Sequence, residues 1–233
     1  MELEFTVGNA FNEGWRVMKA NYGSLLGAAL VYLVISLVMG FVPIVGPLAN
    51  LFIAGPLLAG WSFMGVRAYR ERTEFSHLWD GFSRFGKTLG IYWLTFLVSL
   101  AALIPAGICV GLAYSMDKNF EGPGIAIAAL GGVVTLVIFL VVLTRFSFAM
   151  VIGMDSELGA VDSMRKSWEI TKPCIGTIIG LFVCVGLVCM LLAVLLYLPL
   201  IFLGMPWSVC ITGAAYCLIT RGEDVANLER VYE

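Results

Sequence analysis

Charge along this chain is confined to short islands between long apolar runs. Residues 20–66, 88–116, 122–144 and 173–220 contain no Asp, Glu, Lys or Arg. A helix needs about 20 residues to cross the hydrocarbon core of a bilayer. The two outer runs, 47 and 48 residues long, have room for two spans each, and the middle runs for one each. The pattern predicts an all-α polytopic membrane fold with six transmembrane helices. They cover about 23–42, 48–66, 86–114, 125–144, 175–198 and 207–220. Gly55-Pro56 and Pro105 predict kinks in the second and third spans, and Pro43–Pro47 and Pro199–Pro206 predict tight turns.

The islands carry a second pattern. Residues 6–19 place Val7, Phe11, Trp15 and Met18 on one helical stripe, with Arg16 and Lys19 at its edge. In residues 67–87, Thr73 can cap a helix. Phe75, Leu78, Trp79, Phe82 and Phe85 form its apolar face, and Arg67, Arg70, Arg72, Arg84 and Lys87 surround it. In the third island, Asp155 or Ser156 can cap a helix with Leu158, Val161, Met164 and Trp168 on one side. Asp162 and Lys166 form an i,i+4 pair on the other. Such helices suit the membrane interface, indole at headgroup depth and cations towards anionic lipid. The plain alternative is a soluble connecting helix. Phe146–Met154 continues the apolar character of the fourth span, so that helix is expected to project past the bilayer or bend along its surface.

Each island with the spans after it makes a unit: 6–66, 73–145 and 155–220, with a tail at 221–233. All belong to one integral membrane domain, 1–233. Trp15, Lys19, Gly23 and Gly27 match Trp168, Lys172, Gly176 and Gly180 at an offset of 153. The middle unit is looser, with Trp79 seven residues before Gly86. The fold predicted is therefore three helical hairpins, each preceded by an amphipathic helix, arranged as an internal repeat with a shared membrane orientation. The GxxxG pairs Gly23/Gly27, Gly86/Gly90 and Gly176/Gly180 are candidate helix-packing sites, within the monomer by preference and between copies otherwise.

Lysine and arginine set the orientation. The segments before the first span, after the second, after the fourth and after the sixth hold 2, 5, 4 and 2 of them, against Lys118 alone on the opposite side. That bias predicts cytoplasmic termini and lead-in helices in the cytoplasmic (inner) membrane. The acidic start, MELEFTVGNAF, is not expected to be a cleavable signal peptide.

Three motifs carry a family resemblance. They are Gly55-Pro-Leu-Leu-Ala-Gly60 before basic residues, Glu74-Phe-Ser-His-Leu-Trp-Asp-Gly-Phe82, and Ala160-Val-Asp-Ser-Met-Arg-Lys-Ser-Trp168. With them the chain resembles six-helix prokaryotic membrane proteins of unknown function. That group includes YciC-like inner-membrane proteins and the membrane domain found beside glycerophosphodiester phosphodiesterases. The resemblance implies a fold and no chemistry. No appended soluble domain is expected, and so no phosphodiesterase activity.

Composition removes several functions. Of 233 residues 60% are hydrophobic and 13% charged, where soluble domains carry about 25% charge. The net charge of -2 gives no reason to expect nucleic acid. The six cysteines form no CxxC pair and read as buried apolar thiols. The single histidine, His77, lies in a basic island without a ligand cluster, so neither metal nor cofactor is expected. Hydroxyls such as Ser36, Ser62, Ser99 and Thr135 have no nearby base and are expected to bond helix carbonyls. Arg145, at the end of the fourth span, reads either as a headgroup contact or as a snorkelling side chain.

What remains is a non-enzymatic membrane protein acting on anionic lipids or a partner protein, a second copy included. It would act through a basic, aromatic collar of Trp15, Trp79, Trp168, Arg84, Lys87, Arg145, Arg165 and Lys166. The other reading is a small-molecule or lipid transporter with Pro56 and Pro105 in its path.

Overall fold

A computed structural model describes residues 5–42, 45–116, 123–195 and 197–220. The centre of the Pro43–Pro47 turn, the loop around Lys118 and the 221–233 tail lie outside the described residues. Every regular element among the described residues is helical. Six stretches are long and apolar enough to cross a membrane: Val7–Phe41, Gly46–Arg70, Phe85–Ser115, Gly124–Asp155, Ile175–Val194 and Leu200–Thr220.

α1 (Val7–Phe41) merges the first lead-in helix with the first span. The Thr6 hydroxyl caps it by accepting from the Asn9 amide at 3.2 Å. The expected boundary survives as a kink at Asn21 (φ −122°, ψ 17°). The Asn21 side chain explains the kink. Its Nδ2 donates to Val17 O (3.1 Å) and Ala68 O (3.3 Å), and its Oδ1 accepts from Thr73 N (3.0 Å). A buried amide competing with the helix ladder bends the helix and ties it to its neighbour.

α2 (Val45–Arg70) runs unbroken through Pro56. The second lead-in is not one amphipathic helix. It is a 3-10 turn, Phe75–Trp79, followed by α3 (Asp80–Ser83), and its cap is Glu74 rather than Thr73. Glycine allows this segment to lie on the α2 backbone. A Cβ at Gly60 would stand 2.0 Å from Leu78 O, and one at Gly81 would stand 1.9 Å from Pro56 O. α4 (Phe85–Ala101) and α5 (Ile104–Met116) form the third span, and the bend expected near Pro105 falls between them.

α6 (Pro123–Phe146) is followed by α7 (Ala149–Asp155). The segment does not lie along an exposed surface: Phe148, Ala149 and Val151 are fully buried, and α7 packs on α2, α4 and α8. Burying a Val or Phe side chain contributes about 1.5–3 kcal/mol, so an apolar nonapeptide gains more inside the bundle than at an interface. Phe148 also packs against the Tyr216 ring at 5.9 Å.

α8 (Ala160–Thr171) starts at an N-cap of Gly159, so Asp155 and Ser156 instead close α7. α9 (Ile175–Leu195) leads to α10 (Tyr197–Pro199), a π-helical turn over Leu200–Gly204, and α11 (Met205–Thr220). The predicted Pro199–Pro206 turn is therefore helical. Pro199 caps the π turn, and Pro206 follows that turn without a break in the helix; the Phe202 carbonyl, four residues before Pro206, accepts from the Tyr22 hydroxyl at 3.0 Å instead.

The two outer units are not built alike, despite their matched spacing. α1 packs along α2, whereas α11 lies between α1 and α2, and α9 packs on α6, α1 and the 197–204 segment. α2 and α11 form the centre: half of the apolar window of α2 and 61% of that of the last span are buried, against 17% or less for the other four. The α2–α11 crossing is close because it is glycine on glycine. A Cβ at Gly213 would fall 2.2 Å from the Gly65 carbonyl carbon, and one at Gly65 would fall 2.2 Å from Val209 O.

Candidate functional site

α7 ends in the middle of the basic end of the bundle, and its terminal carbonyls need donors. Arg84 supplies them: Nη1 donates to Ser156 O (2.5 Å) and Gly153 O (3.4 Å), and Nη2 to Glu157 Oε1 (2.5 Å). Lys87 Nζ donates to Ser156 O at 2.6 Å. Two cations at a helix C-terminus also satisfy its dipole. Beside them, Arg70 grips Asp155 on both oxygens, and the Tyr216 hydroxyl donates to Asp155 Oδ2 at 3.0 Å. α2, α4, α7 and α11 therefore meet at one polar node.

Arg145 makes a second brace. Its Nη1 donates to Trp168 O (3.2 Å) and Thr171 Oγ1 (3.4 Å), and its guanidinium lies over the Trp168 ring at 4.8 Å. The Ser167 hydroxyl returns a bond to Arg145 O at 2.7 Å. Arg145 thus joins α6 to α8.

All three predicted indoles reach the surface: Trp15 is 39% exposed, Trp79 44% and Trp168 43%. Lys19 Nζ lies 5.3 Å from the Trp15 ring centre, and Trp15 meets Trp207 edge-on at 6.0 Å. Trp79 leans on Phe82 at 5.7 Å. α8 splits its predicted apolar stripe. Val161 and Trp168 are exposed beside Asp162, Arg165 and Glu169, whereas Met164 is buried together with Ser163, Ser167 and Thr171.

The cations divide. Arg165 is exposed, as are Arg72 and Lys172. Lys166 is not a collar residue; it is 7% exposed, with its ammonium 3.8 Å from Glu169. Arg84, Lys87 and Arg145 bond inward, as above. The packing glycines also divide. A Cβ at Gly23, Gly86 or Gly176 would meet nothing within 4 Å among the described residues. At Gly27, Gly90 and Gly180 it would touch only the side chains of Phe75, Ala160 and Val7, at 3.2–3.8 Å. Gly23, Gly86 and Gly176 thus carry no helix crossing among the described residues, while Gly90 lies at the tight α4–α8 approach to Ala160. Backbone-close approaches fall instead at Gly60, Gly65, Gly81 and Gly213, and their spacing gave no sign of it.

His77 completes a capping box; its Nδ1 accepts from the Glu74 amide at 3.0 Å. The described residues contain no group of three or more His, Cys, Asp or Glu placed to hold a metal. Burial pushes the Cys174 thiol above its ordinary range, with the Arg145 charge partly opposing it.

Between the spans lies a cavity of about 590 Å³. α2, α4, α6, α9 and α11 wall it with Tyr92, Phe96, Leu143, Phe182 and their neighbours, and no lining residue is charged. A second cavity of about 430 Å³, lined by Tyr32, Ser36 and Asn50 among others, shares Leu58 and Tyr92 with the first. The node of Arg70, Asp155 and Tyr216 and the cavity were both missed in the sequence. The available signal for the node was an acid closing an apolar nonapeptide.

No protein family matches this chain, and no curated protein or solved structure does.

Proposed function

We propose that this chain is a non-enzymatic integral membrane protein of the cytoplasmic membrane, with its basic end in the inner headgroup layer. There it acts on anionic lipids or on a partner held at the lipid surface. The observation that carries this reading is the exposure of Trp15, Trp79 and Trp168 on the segments that hold most of the basic residues. Indole rings settle at the membrane–water boundary, so Trp15, Trp79 and Trp168 would anchor the end there. Arg72, Arg165, Lys172 and Lys19 are the cations placed to meet lipid phosphate. Each such charge contributes about 1 kcal/mol near an anionic surface. The bias of basic residues supports the cytoplasmic orientation, and the three short motifs support kinship with the six-helix prokaryotic group. Native mass spectrometry of protein extracted with its surrounding lipids tests the reading. Retained anionic phospholipid, lost on neutralising Arg165 and Lys172, supports it; equal retention by that variant contradicts it.

A second reading, a transporter, rests on the two cavities that meet at Leu58 and Tyr92. In that case the Tyr92 ring is the barrier between them, and Tyr92→Ala should raise solute leak across vesicles.

A further inference from the structure

We infer that the cavity of about 590 Å³ between α2, α4, α6, α9 and α11 is a binding site for one acyl chain of a membrane glycerophospholipid, entered sideways from the bilayer. The inference does not depend on how the basic end is used.

The volume lies within the range of about 300–1,000 Å³ typical of small-ligand sites. The chemistry of the wall limits the ligand further. With no charged lining residue, a phosphate, ammonium or carboxylate inside would lose its hydration without gaining a partner. The part of the ligand inside is therefore hydrocarbon, with at most neutral hydrogen-bonding groups.

The wall also has hydroxyls on two sides. Thr144, Ser147 and Thr212 direct theirs to Leu140 O, Thr144 O and Ser208 O of their own helices. Ser62 on α2 and Thr95 and Ser99 on α4 bring three more, and Thr95 and Ser99 share a helix face at i,i+4. A neutral ester carbonyl is the lipid group that matches such donors.

The route is lateral. Phe96, Leu143 and Val183 line the cavity and are also 49%, 46% and 45% exposed. They belong to α4, α6 and α9, three of the spans that are least buried within the protein. Around those helices the solvent is lipid, so the species at the opening in highest concentration is an acyl chain. An apolar cavity open to hydrocarbon has no reason to stay empty.

The test is photolabelling. The full chain is held in maltoside micelles free of added phospholipid and titrated with a phosphatidylethanolamine bearing a diazirine in one acyl chain. Labelled peptides are mapped by mass spectrometry. Labelling at Phe96 and Phe182 should saturate with probe fraction, whereas labelling at Leu130 and Val133 on the outer face of α6 should rise in proportion. In a Ser62→Phe/Ser99→Phe variant, cavity labelling should fall about tenfold or more, and α6 labelling should stay. Proportional labelling at all four positions in the wild type overturns the inference, and that readout needs no variant to fold. Saturable labelling by a free diazirine fatty acid, with none by the phospholipid, overturns the assignment to a glycerophospholipid.

Discussion

Arg70 holds Asp155 by both carboxylate oxygens, Nη1 to Oδ1 at 2.5 Å and Nη2 to Oδ2 at 2.9 Å. The two residues lie 85 positions apart and join the end of α2 to the end of α7. Asp155 is nearly enclosed, 8% exposed, and Arg70 is 41% exposed. Removing Arg70 should cost more than a surface pair, about 0–1 kcal/mol, and less than a buried one, about 3–5 kcal/mol. Arg70→Ala should therefore lower stability by about 2 kcal/mol, and Tyr216→Phe by about 1 kcal/mol. Unfolding in mixed detergent micelles measures both, and the Arg70→Ala/Asp155→Ala cycle should show coupling. Additive losses would show that the pair does not act as a unit.

Glycine substitutions should fall into two classes. Alanine at Gly60, Gly65, Gly81 or Gly213 drives a methyl into a neighbouring backbone and should cost at least about 1–3 kcal/mol. Alanine at Gly23, Gly86 or Gly176 meets open space and should be neutral, or stabilising by up to about 1 kcal/mol, from helix propensity. The same unfolding measurement ranks them.

The basic residues should separate in the same manner. Arg84→Gln removes donors from Gly153 O, Ser156 O and Glu157, and should destabilise the chain by about 2 kcal/mol through α7. Arg165→Gln and Lys172→Gln together should leave stability within about 0.5 kcal/mol. They should weaken retention of anionic lipid by about 2 kcal/mol in all, an effect that salt reduces. Thermal unfolding beside lipid retention on one set of variants distinguishes bracing from lipid contact.

The membrane class was legible because charge-free runs of 47 and 48 residues have no soluble alternative. The bend near Pro105 was legible for a local reason, a missing amide, whereas the kink at Asn21 was not, because it depends on that side chain reaching Ala68 O and Thr73 N. Residues 148–154 were not, because apolarity alone cannot say whether a segment faces lipid or protein. The packing of α11 against α2 was likewise invisible, since it brings Gly65 onto Gly213, a contact between distant units. For the collar, Trp15, Trp79 and Trp168 were read as lying at headgroup depth, and each has 39–44% of its surface exposed. The cations around them could not be sorted from the sequence, because Arg84, Lys87 and Lys166 find their partners only once α7 and α8 are in place.

The proposed orientation gives a topological expectation. Reporter fusions at Ser76, Glu157 and Val225 should report cytoplasm, and a fusion at Asn119 the opposite side. A cytoplasmic signal at Asn119 would break the six-span arrangement.

The central claim is that the indoles of the basic end rest in one headgroup layer. Depth-dependent fluorescence quenching tests it most directly. Single-tryptophan variants retaining Trp15, Trp79 or Trp168 are placed in bilayers of lipids brominated at different positions along the chain. The account predicts shallow quenching, with all three indoles at a common depth near the glycerol region. Quenching of all three only by aqueous iodide, or clearly different depths among them, would contradict it.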